Sequence, residues 1–196
     1  MALKKGWLRS ELLSLATVLA LVTAGRSSLA DHYYVPSESM ENSLKPGDRV
    51  FVDKTAYGVR IPLTKIDLFG AHTPQRGDIA VFDSPEDGTR LIKRIVAIGG
   101  DVVSLEDGQL SINGHALGNR ELEWFGGRQA LLNLDRGGGP NIDMRVIQPG
   151  MVLALGDHRG DSKDGRYWGL ISEHELFGRA VAIYYRKGEG FVWKKL

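Results

Sequence analysis

At 196 residues the chain is long enough for one well-cored domain and too short for two full ones. Residues 1–30 hold Lys4, Lys5, Arg9 and Arg26 against Glu11 alone, whereas the remainder holds 21 basic and 23 acidic residues and leaves no electrostatic footprint for nucleic acid. The absence of cysteine excludes disulfides, thiolate metal sites and cysteine nucleophiles together, which suits an exported domain that does without disulfides.

Leu12 to Ala24 is an almost wholly apolar run that follows Lys4, Lys5 and Arg9. An apolar surface all round, directly after a basic start, argues against a core helix. Two readings stand level on these residues. Ser28-Leu29-Ala30 places small residues where a cleaved export signal has them. The run extended to Leu29, with Arg26 reaching out to the headgroups, instead makes a retained transmembrane anchor near the ~20 residues a bilayer core needs. Under both, the basic flank predicts a cytoplasmic N-terminus and an outer location for the rest. Trp7 fits the aromatic belt at the inner face.

From Tyr33 onward the pattern is short strands and turns. Val50–Val52, Ile79–Phe82, Leu91–Ile98, Met151–Leu155 and Ala180–Tyr185 are rich in β-branched or aromatic residues and bounded by Pro-Gly, Gly-Asp and Gly-Gly pairs. Val102–Leu105, Asp107-Gly108 and Gln109–Ile112 read as a tight hairpin, and Asn113-Gly114 as a second turn. Residues 119–143 lack clear periodicity and read as a loop or small lobe inserted into the main sheet. Helical signal is scarce; the capping-box spacing of Ser172 and Glu175 predicts one short helix. The expected fold is mostly β, an antiparallel sheet.

Three segments carry chemistry. In an extended Pro36-Ser37-Glu38-Ser39-Met40, the two serines project to one side and could serve as nucleophile and oxyanion donor; a plain Ser-rich turn is the alternative. In Leu91-Ile92-Lys93-Arg94-Ile95-Val96-Ala97-Ile98, Lys93 lies in a strand apolar on both faces. It is either an edge lysine that blocks aggregation or a buried base. Desolvation from ~10.4 to ~8 takes roughly 3.3 kcal/mol, within reach of partial burial. The third segment, Gly156 to Gly169, is dense in charge, and Arg159 and Arg166 are candidates to clamp Asp157, Asp161 or Asp164. The acidic residues there do not follow calcium-loop spacing, and no HExxH pair, phosphate loop or Gly-x-Ser-x-Gly elbow occurs. A Ser-His-Asp triad through His158 and Asp157 stays open, since its members need only converge in space.

Taken in order, these segments resemble the bacterial type I signal peptidases. The resemblance runs through Pro36-Ser37-Glu38-Ser39-Met40, Lys45-Pro46-Gly47-Asp48-Arg49-Val50, Arg76-Gly77-Asp78-Ile79-Ala80-Val81-Phe82, Leu91-Ile92-Lys93-Arg94 to Gly100-Asp101, and Gly156-Asp157 to Trp168-Gly169. It implies a Ser/Lys serine endopeptidase that cuts secretory preproteins after small residues, Ala-x-Ala-like, with no cofactor. By position, Ser39 resembles the nucleophile, Lys93 the general base, Ser37 the oxyanion donor and Ser162 the serine that orients the lysine. Asp157, Arg159, Asp164 and Arg166 resemble a supporting network. The implied organisation is a cytoplasmic start and anchor over 1–30 and an exported catalytic domain over 31–196, with 106–149 as hairpin and inserted lobe. The bilayer and the secretion translocon are the implied neighbours.

The sequence departs from that pattern at Glu38 (usually Gly), Asn42-Ser43 (usually Pro-Thr), His158 (usually Asn), Gly160-Asp161 (usually Asp-Asn) and Gly165 (usually a small hydroxyl residue). A specialised peptidase with few substrates and a silent preprotein-binding membrane protein therefore remain as alternatives. Glu38 carries the further expectation that, if close to Lys93, it opposes the lowering of the lysine pKa.

Overall fold

The computed structural model of the protein describes residues 11–18, 30–60, 67–69 and 72–196. The five strand-forming runs lie inside β2 (Arg49–Asp53), β5 (Ile79–Asp83), β6 (Arg90–Ile98), β13 (Met151–Leu155) and β15 (Leu176–Arg186). With β1 (Ala30–Tyr34), β14 (Ile171–Ser172) and β16 (Gly190–Lys195) they form one sheet, in the order β1-β2-β15-β5-β6-β13-β14, with β16 on β15. Every pairing in it is antiparallel. β15 gives one edge to β2 and shares the other between β5 and β16; its register shifts at Ala180/Ala182 and Ile183/Tyr185, as a bulged, bending strand does.

The Asp107-Gly108 turn joins β7 (Val102–Glu106) to β8 (Gln109–Ile112), with positive φ at both turn residues, as a type I′ hairpin turn requires. β9 (His115–Ala116) and β12 (Ile142–Val146) complete a second sheet in the order β12-β7-β8-β9. The stretch read as loop or lobe also holds a hairpin of β10 (Leu122–Phe125) and β11 (Arg128–Leu131). Its alternation is hidden in the sequence because one inward position is Glu123, buried to 1% exposure. β3 (Val59–Arg60) and β4 (Asp67–Phe69) pair apart from both sheets.

The predicted helix at Ser172 is not an α-helix. Glu173–Glu175 makes a single 3₁₀ turn, Ser172 gives no side-chain cap, and Leu176 enters β15 at once. The residue is held by β14 pairing with β13, which outweighs a local capping preference. Between residues 72 and 196 the α-helix is instead α2 (Gly165–Trp168), whose N-cap Asp164 accepts from the Arg166 amide. Near the start, α1 (residues 11–18) leaves Leu12, Leu13, Leu15 and Val18 exposed. No described helix is long and apolar enough to cross a membrane, and most of the expected anchor, 1–10 and 19–29, lies outside the described residues.

β6 sits where three apolar clusters meet: Val96 and Ala97 belong to one, Ile92 to the next and Ile95 to the third. Burial on both faces explains its near-continuous apolar sequence. Around it, Gly-Asp pairs turn the chain. Gly77 takes φ +90°, a region open to glycine, and a Cβ there would also stand 2.7 Å from Phe125. The following Asp78 then turns inward and accepts from Arg128 (2.5 Å), the Gln75 amide (3.0 Å) and the Tyr57 hydroxyl (3.3 Å). The same device recurs at Gly47-Asp48 and Gly100-Asp101, where Arg186 and Arg76 are the partners.

Asp48 is wholly buried and accepts from Arg186 at 2.9 and 2.6 Å and from the Lys45 amide at 3.0 Å. Asp48→Ala leaves that guanidinium unpaired in a largely buried place. We expect a loss of about 3–5 kcal/mol in urea unfolding, read as a lower midpoint at unchanged slope.

Candidate active site

Ser39 stands on a 3₁₀ turn, Glu38–Met40, whose inner side is fixed by Met40 and Leu44, both at 0% exposure. The Leu44 amide donates to Met40 O and the Glu41 amide to Glu38 O, so the turn is closed by its own backbone. With those apolar anchors inside, Ser37 and Glu38 face outward and Ser39 is half-buried.

Lys93 pairs with Ala80 across β5 and β6, in the face that Phe82, Leu91 and Ile95 also line. It is 3% exposed, and its Nζ donates to Ser39 Oγ at 2.5 Å. Ser37 Oγ lies 3.3 Å from Ser39 Oγ. Burial in this apolar face lowers the Lys93 pKa from 10.5 to about 8, against the pull of Asp164, Asp157 and Asp161 toward the ammonium form. Glu38 turns to Arg136, at 3.4 Å, instead of to the lysine.

The charged segment after β13 braces this pair, with partners that differ from the expected ones. Asp157 is held by Arg94, in a bidentate pair of 2.9 and 2.7 Å buried at both ends. Arg94 also donates to Gly77 O (2.8 Å) and Ser43 Oγ (3.0 Å). Arg166 clamps Asp164 through 2.7 and 2.8 Å bonds, as the sequence suggested, and Asp164 also receives the Gly156 amide at 2.9 Å. Asp161 meets Arg136 at 2.6 Å. Arg159 clamps none of the three aspartates. It is wholly buried against Glu123 (2.6 Å), Gly108 O (2.5 Å) and Gly156 O (3.2 Å), tying both hairpins to the turn beside Ser39.

Ser162 is buried, and its hydroxyl has no hydrogen-bond partner, so no bond joins it to Lys93 here. It does belong to the same crowded spot: a Cβ on Gly156 would lie 2.2 Å from Ser162 Oγ and 2.4 Å from Ser39 O. His158 bonds Asp135 through Nε2 (2.7 Å), while Ser39 Oγ is engaged by Lys93 and Ser37. Asp157 being held by Arg94, the described residues contain no Ser-His-Asp relay through His158 and Asp157.

Sequence reasoning missed Arg94, Glu123 and Gly156. Arg94 had a signal: a second cation inside an apolar strand, on the opposite face from Lys93. Glu123 had none, because its partner Arg159 is distant in sequence; Gly156 was read only as the start of the charged segment.

The family model for signal peptidases of peptidase family S26 matches residues 8–185, and the chain belongs to that family of serine endopeptidases. Among curated relatives, the signal peptidase I of Pseudomonas fluorescens is 30% identical over 197 residues, spanning 85% of this chain and 69% of that protein. That of Pseudomonas aeruginosa is 29% identical over 195 residues, with 85% and 69% covered. That of Leptolyngbya laminosa is 29% identical over 181 residues, with 88% and 76% covered. A solved signal peptidase I from Enterococcus faecalis is 26% identical, with a TM-score of 0.44 over 56% of this chain and 98% of that one.

Two outcomes test the geometry. Because the folded Lys93 pKa lies below the unfolded value, its burial destabilises the fold fully below about pH 8, and the penalty fades as pH rises toward 10.5. Lys93→Met should therefore raise stability at pH 6 by an amount on the order of 3 kcal/mol and lose that advantage above pH 10, in urea titrations at both pH values. Gly156→Ala should lower stability by about 1–3 kcal/mol and displace Ser39, seen as a lower melting temperature together with lost peptide cleavage.

Proposed function

We propose that this protein removes signal peptides from secretory preproteins, cutting after a small residue of an Ala-x-Ala-like site, with Ser39 as nucleophile and Lys93 as general base. The observation that carries this reading is the 2.5 Å contact of Ser39 Oγ with a buried Lys93 whose pKa is lowered to about 8. A neutral amine takes the Ser39 proton as Oγ attacks the scissile carbonyl carbon. The oxyanion is met by the Ser39 amide and, after a small rotation, by Ser37 Oγ. The resulting ammonium returns its proton to the departing amine, and neutral again, it activates the water that releases the acyl group. Asp157, Asp164, Arg166 and Arg159 act at one remove, by fixing Gly156 and the segment around Ser162.

The same reading makes residues 1–30 a cytoplasmic start and membrane anchor, and 31–196 an exported catalytic domain with 106–149 as hairpin and lobe. The exposed leucines and valine of α1 support it, since four large apolar side chains left uncovered by the rest of the fold are well placed for lipid. An anchor keeps the site at the outer surface, where a preprotein leaves the translocon.

The test uses the full-length protein in detergent with a preprotein, the cut being located by mass. Wild type should cleave after the small residue, and Lys93→Ala and Ser39→Ala should not; cleavage that survives in Lys93→Ala would remove the lysine from the mechanism. kcat/KM should climb with pH to a plateau above about 8, because only the unprotonated lysine is active. At pH 6 it should stand about a hundredfold below the plateau, one factor of ten per pH unit. A profile already flat at pH 6 would be incompatible with this base.

A further inference from the structure

We propose that Glu38, Glu41 and His158 form a binding site for a divalent transition-metal ion of the zinc kind, with His158 Nδ1 as its nitrogen ligand. One ligand atom from each residue lies within 4.8 Å of the others. Glu38 opens and Glu41 caps the turn that carries Ser39, and His158 follows β13, its amide donating to Ser39 O at 3.2 Å. The nitrogen is prepared for a cation by its own surroundings. His158 is 1% exposed, and its Nε2 lies 2.7 Å from Asp135 Oδ1. A carboxylate accepts only, so Nε2 carries the proton and Nδ1 is left with a bare lone pair. That Nδ1 is buried and has no hydrogen-bond partner. A carboxylate on one ring nitrogen and a free lone pair on the other is the arrangement by which metal-binding histidines are held.

The donor set selects the ion. One imidazole and two carboxylates suit zinc or cobalt, with water completing a tetrahedron, and suit magnesium poorly, since it asks for six oxygens. Bonds of about 2.0–2.1 Å put tetrahedral ligands about 3.4 Å apart. Closing the remaining distance falls to the exposed Glu38 and the half-buried Glu41, both on flexible stems. Arg136 competes for Glu38 at 3.4 Å, but that pair is exposed at both ends and Arg136 is also drawn to Asp161. Neither Ser39 Oγ nor Lys93 Nζ is a ligand, so the site stands apart from the peptidase reading.

The experiment titrates the full-length protein, free of any polyhistidine tag, with Zn²⁺ by calorimetry and with Co²⁺ by visible absorption. One equivalent should bind, and cobalt should show the intense band of a four-coordinate site. Imidazole ¹⁵N spectra should move the Nδ1 resonance of His158 on adding zinc. Glu38→Gln and Glu41→Gln should each weaken binding at least about tenfold, whereas Ser39→Ala should bind as wild type does. His158→Ala should abolish binding; if that variant does not fold, the two glutamine variants and the Nδ1 resonance decide. No saturable binding below about 1 mM, unchanged affinity in both glutamine variants, or a shift confined to other histidines would overturn the proposal.

Discussion

Everything near the site depends on keeping an amine dry beside a hydroxyl. Lys93 is placed in an apolar face by strand parity alone: on β6 it alternates with Leu91 and Ile95, and across β5 it meets Ala80. That face cannot solvate an ammonium, so the proton is held loosely. The surroundings could have undone this. Asp164, Asp157 and Asp161 all pull toward the charged lysine, and each is held by an arginine: Arg166, Arg94 and Arg136. A carboxylate already paired with a guanidinium favours a neighbouring ammonium far less than a free one does. The charge-rich segment after β13 thus fixes the backbone around Ser39 while leaving desolvation as the larger influence on the lysine.

The same economy of pairing shapes the rest of the fold. Buried ion pairs contribute little net stability compared with apolar packing, but breaking one is costly, so they specify which loops meet. Arg159 and Glu123 join a hairpin to the Gly156 turn, and Arg186 and Asp48 join the end of β15 to the start of β2. Three apolar clusters supply the cohesion, and the arginines decide how turns are set against one another. Gly156 shows how tight that setting is, because a methyl group there would occupy the space of Ser39 O and Ser162 Oγ.

This division accounts for what the sequence made legible. Strands with near-continuous apolar runs, such as Leu91–Ile98 and Met151–Leu155, announce themselves because burial on both faces writes one chemistry into most of their residues. The Asp107-Gly108 hairpin is equally local. β10 is obscured because Glu123 occupies an inward position, its charge answered by an arginine 36 residues away. The partners of Asp157, Arg159 and Asp161 were unreadable for the same reason. Any of several arginines could pair with any of several aspartates, and only the assembled sheets choose among them. Asp164 and Arg166 were legible because they are two residues apart. Ser172 misled because a capping pattern describes a local preference, which strand pairing and the direct start of β15 override.

The departures from the family pattern are absorbed by particular contacts. Ser43 accepts from the same Arg94 that clamps Asp157, and Asn42 donates to Leu132 O at 3.0 Å, which fastens the serine turn to the β11 side of the fold. Gly165 leaves no room for a side chain: a Cβ would stand 2.7 Å from Leu153 and 2.9 Å from Ala154 O. Asp161 is engaged by Arg136, which also reaches Glu38 and so draws that carboxylate away from the lysine. The glutamate therefore does not act as the sequence alone would suggest, since a negative charge within the serine turn matters only where it points. The changes at 38 and 158 also meet in space, beside Glu41. The serine–lysine pair rests on β6 and its apolar face, while the charges that the sequence brings at 38 and 161 are both taken up by Arg136.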